Sequence, residues 1–258
     1  MLPNRIGASN PWPVNQSFLD LLFSLDLAPE FAIIGPHLDC LDRTEVARVR
    51  EILVQKQLRP TVHAPFFDLN VGALDPVVRG ITYQRLSQAL EFAGGINAKL
   101  MVVHPGFDCW RYPGLDTRWT QLAVEFFPAL LEQAEQYDCR LALENIYEAS
   151  PNTLVDVVNK VDSPWLGHCF DVGHWQLFNV EYGMADWLQT IQPKLFHMHL
   201  HDNLGCDDDH LPIGEGAINF TPLIDLLSSL PTAPSITLEA HKPEHLQRSL
   251  KNLRETFL

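Results

Sequence analysis

Short stretches of apolar and β-branched residues recur along the chain, and a longer stretch with helical spacing of apolar positions follows each one. The strand-like stretches are Arg5–Ser9, Phe31–Pro36, Arg59–Pro65, Leu100–Gly106, Arg140–Asn145, Leu166–His174, Leu195–Asn203 and Ser235–Ala240. The helix-like stretches lie at 15–25, 44–57, 76–95, 117–137, 152–161, 184–191, 220–230 and 243–256. Asp75-Pro76, Ser150-Pro151 and Thr221-Pro222 each offer a capping side chain followed by a proline suited to the first helical position. Gly94-Gly95 supplies a helix stop. Regular alternation of strand and helix predicts a parallel α/β fold. An open, doubly wound sheet would need a glycine-rich phosphate loop after its first strand, and Ile6-Gly7-Ala8-Ser9-Asn10-Pro11 is not one. The prediction is therefore a closed (β/α)8 TIM barrel. No Ser/Gly linker divides it, so residues 1–258 read as a single domain.

Composition narrows the partners. Hydrophobic residues make up 46% of the 258, enough for a large core. No apolar run reaches the ~18 residues a membrane span needs, so no membrane is expected. The opening MLPNRIGASN lacks the pattern of a signal peptide, which points to the cytoplasm. Five scattered cysteines with no C-x-x-C pair fit reduced thiols. With 18 Lys and Arg against 32 Asp and Glu, the net charge is −14. Such a surface repels phosphate backbones, which makes a small molecule a better partner than nucleic acid. A homo-oligomer is left open.

The candidate chemistry sits at the strand ends. The third to eighth strands finish on His63, His104, Glu144, Asp171 with His174, His199 and Glu239, and Asp208 and His210 follow in the loop after the seventh. In a parallel barrel those ends converge on one mouth. Four carboxylates gathered there would repel strongly or take up protons, and divalent cations remove that penalty. Mixed imidazole and carboxylate donors suit Zn or Mn. One to three ions per chain are expected.

The motifs HAPF, VHPG, LEN, FDVGH, HxHDN, DxHLPIGEG and LEA, running from His63 to Glu239, resemble the xylose isomerase-like TIM barrel superfamily. That superfamily includes sugar isomerases and epimerases and the endonuclease IV (AP endonuclease family 2) branch. The resemblance carries metal positions over to His63, His104, Glu144, Asp171, His174, His199, Asp208, His210 and Glu239, a set like the trinuclear site of endonuclease IV. It leaves two reactions open. In one, a small sugar, sugar phosphate or hydroxy-keto acid is isomerised through an enediolate, with Glu144 and Glu239 as the catalytic acid–base pair. In the other, a metal-activated hydroxide cleaves a phosphoester. With five neutral histidines, the four acids carry about −4, so three divalent ions leave about +2, two leave none and one leaves about −2. The endonuclease IV branch has Ser-His after its HPG motif, where this chain reads HPGFDCW, and Arg43, Arg111 and Lys242 are nearly the only cations in the mouth loops. A metal-stabilised barrel without turnover is a third reading.

His201, two residues beyond His199, is placed to orient a substrate hydroxyl or to back a ligand. Trp175, Phe66, Arg111 and Lys242 are further substrate-binding candidates, and Trp12, Phe107, Trp110 and Tyr112 share the mouth loops. Cys169 is expected to fill the barrel interior, and Gly214-Glu215-Gly216 to make a turn that positions Asp208 and His210.

Overall fold

Neighbouring side chains along a β-strand point to opposite faces, and this sorts the residues here into two environments. In the computed structural model, which describes residues 6–230 and 233–257, eight strands close a barrel in chain order. They are β1 (Ile6–Pro11), β2 (Ala28–Ala32), β3 (Thr61–His63), β4 (Leu100–Val103), β5 (Arg140–Glu144), β6 (Leu166–Asp171), β7 (Leu195–Leu200) and β8 (Ser235–Leu238). Every neighbouring pair is parallel, and β1 closes the ring on β8 with Ile6 opposite Ile236. The returns are α1 (Gln16–Ser24), α2 (Gly35–Asp39), α3 (Arg43–Gln55), α4 (Pro76–Gly95), α5 (Asp116–Gln136), α6 (Asn152–Val161), α7 (Val172–Phe178), α8 (Met184–Ile191), α9 (Thr221–Ser229) and α10 (Pro243–Phe257). The predicted (β/α)8 barrel is the observed fold.

Outward strand residues such as Met101, Val103, Leu141 and Leu143 pack with Leu86, Leu90, Phe127 and Leu130 of the helices. On the other side Phe170, Met198, Leu200 and Leu238 pack with Leu188, Leu223 and Leu246. Inside the barrel, Leu100, Val102, Ala142 and Cys169 make a small apolar cluster. Cys169 is thus a core filler as expected, and burial pushes its thiol pKa up. Among the described residues no helix is long and apolar enough to cross a membrane.

Several boundaries differ from the sequence expectation. Arg5, expected in the first strand, lies outside the described residues. The second strand runs Ala28–Ala32 rather than Phe31–Pro36, because Gly35-Pro36 opens the short helix α2. The sixth strand stops at Asp171 rather than His174: the Asp171 carboxylate accepts from the His174 N–H at 2.6 Å and starts α7. Asp75 caps α4 as expected. The cap of α6 is Pro151 rather than Ser150, and that of α9 is Phe220 rather than Thr221.

Candidate metal centre at the barrel mouth

Inward positions at the C-terminal ends of the strands, with the start of α7 and the loop after β7, gather the other eight expected ligands near one carboxylate, Glu144. It is 1% exposed and ends β5. Three groups can be distinguished about it. In the first, His63 Nε2 and His104 Nε2 lie 3.3 and 3.1 Å from Glu144 Oε2 and 3.1 Å from each other. His63 Nδ1 is 2.9 Å from the Ala64 carbonyl, which fixes its proton on that nitrogen and leaves Nε2 bare. In the second, His199 Nδ1 lies 3.3 Å from Glu144 Oε1, 3.3 Å from Glu239 Oε1 and 3.8 Å from Asp171 Oδ2. In the third, His174 Nε2 and His210 Nε2 stand 3.4 and 3.1 Å from Asp208 Oδ2. His174 Nδ1 is 3.2 Å from Glu144 Oε1, so this group adjoins the others. Only Asp208 is substantially open, with 39% of its side chain exposed, and Glu239 and His104 are slightly open.

The electrostatics are those of acids and imidazoles compressed together. Burial would raise the Glu144 and Asp171 pKa values. For Glu144 this is outweighed by His104 and His199, which hold it well below the carboxylate range, and for Asp171 by His174 and His201, which bring it to about 2. Burial would likewise lower His174, His199 and His210. Asp171 and Asp208 lift His174 well above its ordinary value, Glu239 and Glu30 are among the groups that do so for His199, and Asp208 brings His210 to about 9.

The donor set fits divalent ions on one further observation. Glu144 Oε2, His199 Nδ1, His199 Nε2 and His201 Nδ1 are buried and have no well-aligned hydrogen-bond partner, although other polar atoms crowd them. Buried polar atoms are normally satisfied. Converging, unsatisfied nitrogen and oxygen atoms are what Zn or Mn would take up.

The substrate-binding expectations fare unevenly. Phe66 is half-buried and stacks on His104 with ring centroids 4.3 Å apart, so it walls the first group. His201 is completely buried, with Nε2 3.2 Å from Asp171 Oδ1 and its ring stacked on His210 at 4.1 Å. It therefore lies against the ligand set and not at the open mouth, in keeping with the second of the two roles expected for it. Gly173 makes this packing possible, since a Cβ there would collide with the His201 ring. Trp175 is half-buried against the second core, and its indole N–H is without a partner. Arg111 is paired with Asp108 of its own loop at 3.2 Å, and Lys242 is exposed. Trp12, Phe107 and Tyr112 are core residues, while Trp110 is exposed beside Tyr147 and Phe178.

Sequence reasoning missed four polar residues. Glu30 and His197 lie completely buried beneath His199. Glu30 is a fifth acid, so the site carries about −5 before metal and three divalent ions would leave about +1. Glu148 is buried behind the mouth, and burial pushes its pKa up to about 7. Asp202 is fully buried and accepts from the N–H groups of Asn203, Gly214, Gly216 and Ile218 at 2.9–3.1 Å. It organises the Gly214–Gly216 turn, where Gly214 takes a φ of 82°. The signal for His197 is available in HMHLH, where residues 197, 199 and 201 must share a face.

A family model described as xylose isomerase-like TIM barrel matches residues 29–256. The uncharacterized protein MJ1311 of Methanocaldococcus jannaschii is 31% identical over 226 residues, covering 83% of this chain and 75% of its own. Among solved structures, a D-tagatose 3-epimerase-like protein superposes with a TM-score of 0.83 at 26% identity, covering 97% of this chain and 96% of that one. The TTHB071 protein from Thermus thermophilus, soaked with zinc chloride, superposes with a TM-score of 0.84 at 26% identity and covers 97% of both chains.

Proposed function

The chain belongs to the xylose isomerase-like TIM barrel family, and on that basis we propose that it is a divalent-metal-dependent isomerase or epimerase of a small sugar, sugar phosphate or hydroxy-keto acid. The observation that carries this reading is the meeting of two glutamates from distant parts of the barrel. Glu144 from β5 and Glu239 just beyond β8 both place Oε1 3.3 Å from His199 Nδ1. A carbon chain bound between them would present opposite faces to the two carboxylates. One removes the proton beside the carbonyl, and the other returns a proton to the same or the adjacent carbon. His63, His104, Glu144, Asp171, His199 and Glu239 are the residues that would hold ions nearest this pair, with His174, Asp208 and His210 alongside. When bound, divalent ions supply the positive charge that binds adjacent substrate oxygens and offsets the charge growing on them as the carbon acid ionises. Phe66, stacked on His104, limits water at that edge.

The third group, His174 with Asp208 and His210, favours a second reading, phosphoester hydrolysis, because three ions would make the site attractive to a phosphate. Against it stand the net charge of −14 and the pairing of Arg111 with Asp108. Elemental analysis of the purified protein, joined to a two-armed assay, separates the readings. One arm offers ketoses and hydroxy-keto acids, the other an abasic-site duplex. Turnover of a ketose with the duplex intact is expected. Duplex cleavage without sugar turnover overturns the isomerase proposal.

A further inference from the structure

Beneath the mouth, a second layer of polar groups fills the barrel around Glu30. Its carboxylate is completely buried, and the hydroxyls of Thr61 and Thr237 donate to Oε2 at 2.7 and 3.1 Å. His197, also buried, has Nε2 3.0 Å from Thr237 Oγ1 and Nδ1 2.6 Å from Ser235 Oγ. These contacts form one consistent chain: Ser235 donates to His197 Nδ1, and His197 Nε2–H donates to Thr237. The Thr237 hydroxyl hydrogen is then free for Glu30. His197 is neutral in this arrangement. His197 Nε2 also lies 3.1 Å from Glu30 Oε2, so the carboxylate has an imidazole against each oxygen. Its remaining oxygen, Oε1, lies 2.9 Å from His199 Nε2, a close contact between two buried atoms that have no other partner and are not aligned as a hydrogen bond here, while the other nitrogen of His199 faces Glu144 and Glu239.

We propose that Glu30 is a positioning residue, which holds the proton of His199 on Nε2 and so presents Nδ1 as the metal-binding atom. The inference rests on the metal reading above and goes beyond it to a residue that touches no ion. The alternative, an ion held by Glu30, His197 and His199 themselves, is disfavoured by the count of free donors. The hydroxyls already occupy Glu30 Oε2 and both nitrogens of His197. Only Glu30 Oε1 and His199 Nε2 are left, where a closed zinc site takes four ligands. A carboxylate behind a ligating imidazole raises its basicity and fixes its orientation.

The test is zinc binding by the full chain, with a chelator competitor, in wild type, Glu30→Gln and Thr61→Val. Glu30→Gln is expected to keep the number of bound zinc ions and lose about 10–100-fold in the affinity of one of them. Thr61→Val, which keeps the charge and removes one hydroxyl, is expected to fall between the two and guards against a folding defect in the first variant. In zinc-loaded wild type, nitrogen-15 spectra should place the His199 proton on Nε2. Equal affinities in wild type and Glu30→Gln, or a proton on Nδ1, would overturn this inference and leave the metal reading standing. The loss of one whole ion in Glu30→Gln would make Glu30 a ligand and overturn it too. A wild-type chain that takes up no zinc would remove both readings.

Discussion

Two equally buried carboxylates in this barrel are surrounded by different kinds of partner. Asp202, in the turn after β7, is 0% exposed, and four backbone N–H groups surround it. Glu144, at the floor of the mouth, is 1% exposed and has one oxygen with no aligned partner at all. Among the described residues, no serine or threonine hydroxyl bonds to Glu144, Asp171 or Glu239, whereas two serve Glu30 one layer below. An acid supplied with neutral donors is complete within the protein. An acid ringed by imidazoles is complete only with protons or metal ions. The contrast separates a carboxylate that builds the loop from the carboxylates proposed to hold metal, although burial alone cannot tell them apart.

The sharpest way to break this contrast is to remove each acid in turn. Glu144→Ala should show the largest effect, because its oxygens face His63, His104, His174 and His199 together. Metal content should fall by at least one ion per chain while the circular dichroism spectrum is kept, and turnover should drop about 10²–10⁴-fold. Unchanged metal content would count against the whole ligand assignment. Asp202→Asn should behave in the opposite way. Placing an NH2 group among backbone donors sacrifices charge-assisted hydrogen bonds, at a cost of about 3 kcal/mol. That corresponds to a loss of roughly 6–12 °C in Tm for a chain of this size. Residual activity should suffer only through the loop that carries Asp208 and His210. A Tm within a degree of wild type would show that the four N–H groups are satisfied some other way.

Much of this contrast is legible in the residues alone. Eight strands with Glu, Asp or His at six successive ends could meet only at one mouth of a parallel barrel, and the nine residues do meet there. What stays hidden depends on tertiary context. Glu30 follows Pro29, a pair with low strand propensity, so the pattern favours a strand on the apolar run after it. In the FDVGH motif, the apolar pattern carries the sixth strand past Asp171, where a carboxylate capping its own helix ends it. His201 lies on the expected face. Its partners, Asp171 and His210, come from other segments, so periodicity could not reveal that it backs the ligands. Trp12 and Phe107 read as mouth aromatics, because a loop position says nothing of which core the ring enters.

Glu148 sharpens the contrast from a third direction, with an effect confined to the pH dependence of stability. It is 3% exposed, its Oε2 accepts one N–H from Ile146 at 2.6 Å, and its Oε1 has no partner. With neither four donors nor a ring of imidazoles, it is left to keep its own proton, and burial lifts its pKa from 4.5 to about 7. Below pH 4.5 the folded and unfolded chains both hold that proton, and Glu148 contributes no pH dependence. Between 4.5 and about 7 the unfolded chain has released it and the folded chain has not. The folded state then binds more protons, so stability must fall as pH rises through this window and level off above it. The total is ~3 kcal/mol for a shift of this size. Glu148→Gln keeps the acceptor for the Ile146 N–H and removes the titration. Denaturant unfolding of both proteins across roughly pH 4–8 isolates the effect, because every other titrating group is common to the two. The stability of wild type relative to Glu148→Gln should decline with rising pH until about 7. A difference that stays flat would mean that Glu148 is ionised throughout, and that a buried carboxylate here can be held by a single N–H.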